Sequence, residues 1–384
     1  MAISASLFIN QKGITTALKQ PKEVGYYSRN QQGDIFPFDD GKLKYYYLPN
    51  SDIDKNIELN SGFKKFKNCQ QLFKDIATLH PILETIIQYE TLKGKSLKCD
   101  IVAYSETIVK LICASFENSK INPIDMRLIS YRGQLYIKDM TLQDVLKRPL
   151  GIQDYIPFKF ETVSTLTQPL PYIERDILEK RHRKISNNGD KFFSLVKTGI
   201  SKSKFLLSEE VSCVYDFKQD NKDDLKHYAK LCVSPVISNL NDSHKFETLI
   251  FKTWLRCFLM GVPKIIYGFY DDSRNNNNNN SGSSVLKTVE EFMTEEIPIL
   301  FKEHNPELAT KCTNAIKWYG LFSEWLLKIV PHEENSEIIK PFKLILDNNH
   351  LKLIEIESND QEYEGIVNGE TILSERYKAW KNKS

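Results

Sequence analysis

The sequence predicts a single domain of the α/β (mixed α+β) class, with a mixed sheet rather than a doubly wound parallel sheet. Predicted strands and helices alternate without the regular spacing of βαβ units, and several neighbouring strands form hairpin patterns. No long segment rich in Pro, Gly or Ser interrupts the chain. Residues 1–384 are therefore expected to form one domain.

The first part of the chain predicts irregular strands followed by helices. Residues 21–50, PKEVGYYSRNQQGDIFPFDDGKLKYYYLPN, are rich in aromatic and turn residues, which is typical of strands that cover a core. Apolar residues recur at spacings of three and four over 72–94, which predicts an amphipathic helix that ends at Gly94. A second helix is expected within 106–118, and two short strands around an Arg-Gly turn within 126–140.

The rest of the chain continues this mixed pattern. A charged helix is expected at 174–185, and its Arg and Lys residues form either a solvated face with intrahelical ion pairs or a face that contacts RNA. The stretch 273–284, SRNNNNNNSGSS, cannot be buried in a core and is expected to be a disordered surface loop. The remaining apolar runs predict strands at 191–200, 204–217, 226–237, 264–272 and 342–349, and helices at 246–261, 294–304 and 314–330.

The composition limits the function classes. The 52 Lys and Arg residues nearly balance the 50 Asp and Glu residues, so DNA is not expected as a partner and any contact with RNA must come from a local patch. The seven cysteines are widely spaced without a CxxC pair, which predicts reduced, mostly buried thiols and no zinc site. We expect no membrane span and no secretory signal, which leaves the cytoplasm or the nucleus.

The stretch 208–235, SEEVSCVYDFKQDNKDDLKHYAKLCVSP, predicts two strands joined by a charged turn. Period-two alternation places Glu210 and Ser212 on one face of the first strand, and Lys230 and Cys232 on one face of the second. In many metal-dependent nucleases the first strand carries two acids here, and the second carries an acid and a Lys. The sequence therefore predicts the frame of such a site without most of its ligands.

Several stretches in a fixed order carry a resemblance to a known family. They are PKEVGYYSR, LKYYYLPNSDID, SGFKKF, FKFETVSTL, NNGDKFFSLVKTGI, EVSC, FKTWLRCFLMGVPKIIYGF and TEEIPIL. Together they resemble the DXO family of RNA 5′-end decapping nucleases, which includes the yeast nuclear protein that accompanies a 5′-to-3′ exoribonuclease. The resemblance implies one domain with two mostly mixed sheets flanked by helices, a nuclease-like core, and a divalent metal (Mg or Mn) as the family's cofactor.

The resemblance also assigns roles to individual positions. An Arg that grips phosphate in the family falls on Ser105, and a helix Gln that contacts RNA falls on Arg256. A Gly-aromatic-Lys-Phe-Glu motif falls on 157–161, where Pro157 replaces the glycine and Glu161 retains the acid. By resemblance, RNA or phosphate contacts are therefore expected at Ser105, Lys230 and Arg256.

The two strand motifs depart further from the family pattern. Glu-x-Asp becomes Glu210 and Ser212, and Glu-Leu-Lys becomes Lys230 and Cys232. Glu161 and Glu210 thus remain as metal acids, and we expect them to bind metal weakly or not at all. No catalytic residue is expected, because the family's catalytic positions hold Ser212, Lys230 and Cys232.

Electrostatic repulsion between an ammonium and a metal ion indicates a different role for Lys230. Two unit charges at 4 Å interact by about 4 kcal/mol at an effective dielectric of about 20, and a divalent ion beside an ammonium is repelled by about double that. We expect Lys230 to pair with Glu161 or Glu210 as a structural counter-charge. Alternatively, Lys230 and Arg256 form a metal-free pocket for a 5′-phosphate.

Nearby residues offer poor replacements for the lost ligands. Strand alternation points Glu209 away from the face of Glu210, and Asp216 lies about 20 Å further along that strand at roughly 3.3 Å per residue. His182 and His227 are expected at the surface rather than as general bases.

Two functions from different classes remain open. The first is a divergent, catalytically inactive member of the family, nuclear by resemblance, that acts in RNA 5′-end quality control by binding RNA or a 5′-to-3′ exoribonuclease. The second is an active metal-dependent hydrolase of RNA 5′ ends with relocated or reduced ligands.

Overall fold

The structure, a computed structural model, describes residues 3–69, 78–142, 148–216, 224–272, 283–331, 333 and 337–383. Of the Asn-rich loop expected at 273–284, residues 273–282 lie outside these ranges. Of the remaining two residues, Ser283 precedes a strand and Ser284 is the buried first residue of that strand, so the expected loop is wrong at Ser284.

Ten α-helices are found in the described residues. They are α1 (Asn50–Ile53), α2 (His80–Lys93), α3 (Ser105–Cys113), α4 (Ile152–Ser164), α5 (Arg175–Lys180), α6 (Leu240–Met260), α7 (Ile297–His304), α8 (Pro306–Ile329), α9 (Tyr363–Val367) and α10 (Glu375–Lys383). Short 3₁₀ helices occur at Phe63–Lys65, Leu170–Tyr172, Arg181–Arg183 and Asp224–His227.

The described strands form two sheets. The strands are β1 (Ser4–Phe8), β2 (Leu18–Arg29), β3 (Ile35–Pro37), β4 (Tyr45–Tyr46), β5 (Ile101–Tyr104), β6 (Asp125–Tyr131), β7 (Gln134–Asp139), β8 (Thr165–Leu166), β9 (Lys191–Ile200), β10 (Ser203–Val211), β11 (Cys213–Val214), β12 (Tyr228–Pro235), β13 (Lys264–Asp272), β14 (Ser284–Met293), β15 (Lys340–Asp347) and β16 (His350–Glu355). The ten-stranded sheet has the order β1-β16-β15-β6-β7-β5-β10-β9-β2-β3, and the six-stranded sheet has the order β14-β13-β12-β11-β4-β8.

Both sheets are mixed, as the sequence and the resemblance predict. In the larger sheet β10 pairs parallel with β5 and antiparallel with β9. In the smaller sheet β12 pairs parallel with β13 and antiparallel with β11. Antiparallel pairs join both chain neighbours, such as β9 with β10, and distant segments, such as β1 with β16.

The main hydrophobic core lies between the two sheets. Phe205 and Leu207 of β10 and Ile265 and Tyr267 of β13 belong to one buried cluster, together with Trp254 of α6. Helix α8 contributes to the same cluster. A second cluster covers the opposite face of the ten-stranded sheet, where α2 and α10 pack. The larger sheet is therefore buried on both faces in its centre.

The predicted hairpin at 208–235 is only partly present. Strand β10 ends at Val211 in the larger sheet, and β11 begins at Cys213 in the smaller sheet. Only β11 pairs with β12, through Cys213 with Ala229 and Val214 with Tyr228. Because the chain changes sheets at Ser212, the two expected metal-binding strands face each other across a cleft.

Several local predictions are confirmed. The end of the helix predicted at 72–94 is confirmed at Gly94, whose φ of 61° is the left-handed conformation that glycine favours, but the helix begins only at His80, after a bend at Thr78 and Leu79. Arg132 and Gly133 have φ values of 48° and 71° and turn the chain between β6 and β7, as in a type I′ hairpin.

The charged helix predicted at 174–185 is shorter than expected. It divides into α5 and the 3₁₀ helix Arg181–Arg183.

The state of the cysteines agrees with the expectation from the sequence. All seven cysteines are free, and all but the half-buried Cys232 are buried. Within the described part of the chain, no helix combines the length and the apolar character that a membrane crossing requires.

Candidate functional site

The candidate site is a cleft where three neighbouring strands of the larger sheet end together. Register pairs Arg29 of β2 with Lys191 of β9, and Glu210 of β10 with Phe193 of β9. A cavity of about 290 Å³ opens at this end. Its walls include Tyr27, Arg29, Glu106, Glu209, Glu210, Lys230 and Arg256.

Helix α4 brings Glu161 to this cleft from the smaller sheet. Ile156, Phe160 and Val163 recur at spacings of four and three and bury one face of the helix in a hydrophobic cluster with residues of the smaller sheet. Phe160 lies against Gly268 of β13, where a Cβ atom would come within 2.6 Å of the ring. This contact fixes the helix and leaves Glu161 on the face that points to the cleft.

The two acids meet at one lysine. Lys191 Nζ lies 2.6 Å from Glu161 Oε2 and 2.6 Å from Glu210 Oε1, and its side chain is only 4% exposed. Lys44 Nζ forms a second ion pair with Glu161, at 2.5 Å from Oε1. The prediction that Glu161 and Glu210 share one site is therefore consistent with the geometry, but a buried ammonium lies between them.

The ionisation of these groups follows from their pairing. Burial alone would raise the pKa of Glu161, but the charges of Lys191 and Lys44 outweigh it and hold the pKa well below its usual range. Burial would lower the pKa of Lys191, but Glu161 and Glu210 raise it above its usual value. Glu161 and Lys191 are therefore both charged at neutral pH and compensate each other.

A second cluster lies next to the first. Lys230 Nζ donates to Glu209 Oε1 at 3.1 Å and to the backbone carbonyl of Glu210 at 3.3 Å, and Ser105 Oγ donates to Glu209 Oε2. Burial opposes ionisation of Glu209, but Lys230 and then Arg256 keep its pKa below the usual range. Likewise, burial would lower the pKa of Lys230, but Glu209 raises it.

This arrangement tests two expectations. We expected Lys230 to pair with Glu161 or Glu210; this is wrong, because Glu209 is its side-chain partner and Lys191 is the partner of the other two acids. We also expected Glu209 to be a poor replacement for a lost ligand; its carboxylate is paired with Lys230 rather than Lys191, although Glu209 and Glu210 both line the cavity. They do so where β10 leaves its sheet.

The other expected positions have structural contacts. Ser212 Oγ accepts a hydrogen bond from the backbone N–H of Leu231 at 3.1 Å, which links the chain crossing to β12. Burial raises the pKa of the Cys232 thiol, so a reactive thiolate is not favoured there. Arg256 Nη2 lies 2.8 Å from Glu106 Oε1 and lines the cavity.

Sequence reasoning missed the basic residues that complete the site. Arg29 donates to the backbone carbonyls of Asn188 and Gly189, and its guanidinium lies 5.3 Å from the ring centroid of Phe193. Lys191 begins a strand of buried residues, and a lysine in such a position needs a buried partner. This burial results from tertiary packing, so no local pattern in the sequence indicated Lys191.

The residues present do not fit the metal that the resemblance implies. Hard divalent cations need several oxygen ligands, and the oxygens of Glu161 and Glu210 already accept hydrogen bonds from ammonium groups. Within the described ranges, no group of three or more His, Cys, Asp and Glu residues could hold a metal ion.

The fold and the placement of Glu161 and Glu210 define a nuclease-type α/β protein whose acidic site is neutralised by lysine. The chain belongs to the family of RAI1-like PD-(D/E)XK nucleases, whose family model matches residues 19–378. The resemblance to fungal members of the DXO family is thereby confirmed.

The similar proteins cover nearly the whole chain. The Kluyveromyces lactis protein named decapping nuclease RAI1 is 48% identical over 99% of each chain. The Saccharomyces cerevisiae protein of that name is 45% identical, again over 99% of each chain.

Two solved structures are similar as well. Candida albicans Rai1 in complex with pU5 and Mn²⁺ is 35% identical, with a TM-score of 0.85 and 99% of each chain covered. Scheffersomyces stipitis Rai1 in complex with (3′-NADP)⁺ and calcium is 30% identical, with a TM-score of 0.84 over 99% of this chain and 100% of that one.

Proposed function

We propose that this chain binds RNA 5′ ends without cleaving them, and acts in RNA 5′-end quality control and turnover through the bound RNA or a partner exoribonuclease. The observation that carries the proposal is the Lys191 ammonium, 2.6 Å from both Glu161 and Glu210. Family resemblance adds the nucleus as the expected location.

The charge at Lys191 opposes metal binding directly. A divalent ion at 4 Å from an ammonium is repelled by about 8 kcal/mol at an effective dielectric of about 20. An ion held by both carboxylates would take the position of Lys191 itself, so the ammonium would have to leave a site in which it is almost fully buried. Ser212, which is bound to the Leu231 backbone, supplies no carboxylate in compensation.

The same cleft is suited to an anion. Arg29, Lys230 and Arg256 line the cavity beside three glutamates, and both basic side-chain types donate charge-assisted hydrogen bonds to phosphate oxygens when they turn from their present partners. The cavity volume of about 290 Å³ is near the lower end of the range for small-molecule pockets, about 300 Å³. The pU5 ligand of the Candida albicans relative supports RNA as the ligand class.

An exposed apolar segment supports a protein partner. Leu170, Tyr172 and Ile177 lie close together in the chain on the segment that follows β8, and their side chains are 45%, 75% and 53% exposed. Contiguous exposed apolar patches are typical of protein interaction sites. We propose that a 5′-to-3′ exoribonuclease docks on this surface, which size-exclusion chromatography of the mixed proteins tests. Co-elution that is lost in Tyr172→Glu and Ile177→Glu is expected, and unchanged co-elution excludes the surface.

The central experiment separates binding from cleavage. The protein is incubated with 5′-triphosphate, capped and 5′-monophosphate RNAs in the presence of Mn²⁺ or Mg²⁺, and released nucleotide and pyrophosphate are measured by chromatography. We expect no release from the wild type or from the Glu161→Gln/Glu210→Gln variant. Fluorescence anisotropy should show tighter binding of 5′-monophosphate RNA than of the same RNA with a 5′-hydroxyl.

A matched pair of arginine variants tests the cavity. Arg256→Gln should reduce the preference for the 5′-phosphate, because Arg256 lines the cavity. Arg175→Gln on α5 makes the same charge change at an exposed position outside the described cavity lining, and should have no effect. Equal affinity of the wild type for phosphorylated and hydroxyl RNA would contradict the proposal.

A metal-dependent hydrolase of RNA 5′ ends is the second candidate. The observation in its favour is the Mn²⁺ in the solved complex of the Candida albicans relative. It predicts metal-dependent release of nucleotide or pyrophosphate that disappears in Glu161→Gln/Glu210→Gln. Such a result would establish that Lys191 leaves its position when metal binds.

A further inference from the structure

A group of lysines lies at the other end of the strands that form the cleft. Lys19 and Lys22 of β2, Lys197 of β9 and Lys204 of β10 are called the basic face below. Register pairs Lys19 with Gly199 and Gly199 with Lys204, and it pairs Lys22 with Lys197. Because paired residues share a face and alternate residues return to it, all four lysines project from one side of the sheet.

The four lysines are close together. Neighbouring strands lie about 4.8 Å apart and residues two apart lie about 6.6 Å apart, so their Cα atoms occupy an area of roughly 10 by 7 Å. Gly199 lies at the centre, and the stem of Lys19 crosses it, with Cδ 3.2 Å from where a Cβ of residue 199 would be. The ammonium of Lys19 donates to the backbone carbonyl of Lys202, at the turn between β9 and β10, at 3.1 Å.

Neighbouring carboxylates compensate these charges only in part. No ion pair of the four lysines is found in the part of the chain that the structure describes. Asp100 is close, but its Oδ2 accepts the backbone N–H of Lys204 at 2.7 Å. The pKa of Lys19 is lowered, first by partial burial and then by the charges of Lys204 and Lys197, while Asp100 opposes this shift. The surface therefore concentrates positive charge on a chain whose net charge is only +2.

We infer that the basic face binds the phosphodiester backbone of single-stranded RNA, at a site separate from the 5′-end cavity; this inference rests on the proposed RNA-binding function. Lysines without carboxylate partners on a flat sheet surface contact phosphates without reading bases. At the stacked spacing of about 3.4 Å per nucleotide, at most about three nucleotides span the basic face.

The distance to the cleft predicts a length dependence. Lys204 and Glu210 are six residues apart on β10 and on the same side of the sheet, so the basic face and the cleft are about 20 Å apart in a straight line. An RNA held by its 5′ end in the cavity therefore reaches the basic face only when it is long enough to bridge this distance, about six nucleotides at the stacked spacing of about 3.4 Å and fewer when the strand is extended. A trinucleotide does not reach it.

The test uses the full chain and a 20-nucleotide unstructured RNA with a 5′-hydroxyl. Its affinity is measured by fluorescence anisotropy over a range of salt concentrations for the wild type and for Lys22→Ala/Lys202→Ala/Lys204→Ala. These three exposed lysines include the turn residue Lys202. At about 0.7 per phosphate contact, the slope of log affinity against log salt should fall by about 2, with at least about tenfold weaker binding at low salt.

A control variant removes the same charge elsewhere. Lys120→Ala/Lys302→Ala/Lys328→Ala changes three scattered, exposed lysines and should leave most of the slope unchanged. Equal losses in the two variants would overturn the inference, because general attraction would then account for them. Circular dichroism and thermal unfolding verify that both variants are folded.

Further measurements distinguish this inference from the proposed function. Binding of a 5′-phosphorylated trinucleotide should be the same in the wild type and the basic-face variant. If the 20-nucleotide RNA binds with no 5′-phosphate preference but still depends on the basic face, only the proposed function fails. If the preference for the 5′-phosphate holds but the salt slope is the same in the wild type and the basic-face variant, only the inference about the basic face is refuted. Loss of poly-glutamate binding with intact RNA binding would assign the surface to an acidic protein and overturn the RNA inference.

Discussion

Replacing Lys191 by methionine tests the counter-charge at the centre of the cleft. Methionine retains the unbranched stem and removes the ammonium that contacts Glu161 and Glu210 at 2.6 Å. Removing one partner of a buried ion pair costs about 3–5 kcal/mol, because the other charge is left without compensation. Glu161 keeps Lys44 as a partner and the Glu210 side chain is 31% exposed, so we expect the lower end of this range.

The expected change in Tm follows from the size of the protein. With about 2.1 cal/mol/K of unfolding entropy per residue and 384 residues, a loss of about 3 kcal/mol lowers the Tm by about 4 °C. The variant should also gain a response to divalent cations, which we do not expect in the wild type. Mn²⁺ at 100 times its Kd stabilises by about 2.7 kcal/mol, which restores about 3 °C.

Differential scanning calorimetry with and without Mn²⁺ measures both effects. Lys110→Met is the matched control, because Lys110 Nζ lies 2.8 Å from the buried Asp139 in another ion pair. It should lose a similar amount of stability and show no response to Mn²⁺. The reasoning is refuted if Lys191→Met is as stable as the wild type, or if Mn²⁺ stabilises the wild type equally.

Two further substitutions test the surroundings of this site. Glu161 has a pKa below its unfolded value, so its ion pairs stabilise the fold above the unfolded pKa of about 4.3 and this stabilisation is lost as the pH falls through the folded pKa. In urea denaturation the stability difference between wild type and Glu161→Gln should therefore be full at pH 6–7 and shrink below about pH 4; a constant difference contradicts this. Gly268→Ala should lower the free energy of unfolding by about 1–3 kcal/mol, because the new Cβ displaces Phe160. Gly365→Ala should not, because no atom lies within 4 Å of its new Cβ. Equal effects of the two substitutions would exclude the packing explanation.

The local elements of the fold could be predicted from the sequence, but the order of the strands could not. Alternation and apolar runs indicated β9, β10 and β13, and Gly94 indicated the end of α2. The parallel pairing of β10 with β5 joins residues about a hundred positions apart, and no local pattern specifies such a partner. The change of sheet at Ser212 could not be predicted for the same reason, because the residues on each side of Ser212 have the pattern of a strand.

The residues of the candidate site could likewise be predicted only in part. The resemblance implied Glu161 and Glu210, and the structure brings both to one cleft. Lys191 is 30 residues from Glu161 and 19 from Glu210, and these separations have no periodic meaning. Only the register of β9 against β10, together with the packing of α4, places its ammonium between them.

The position of β1 in the larger sheet has a consequence for how the protein folds. Ser4–Phe8 pairs with His350–Glu355, so this edge forms only after residues 350–355 have left the ribosome. Until then β1 has no partner, and an unpaired strand is a site for association between nascent chains. Closing so long a loop slows folding far more than it affects final stability. We therefore expect the rate of the last folding step, rather than the stability of the finished sheet, to determine the yield of native protein.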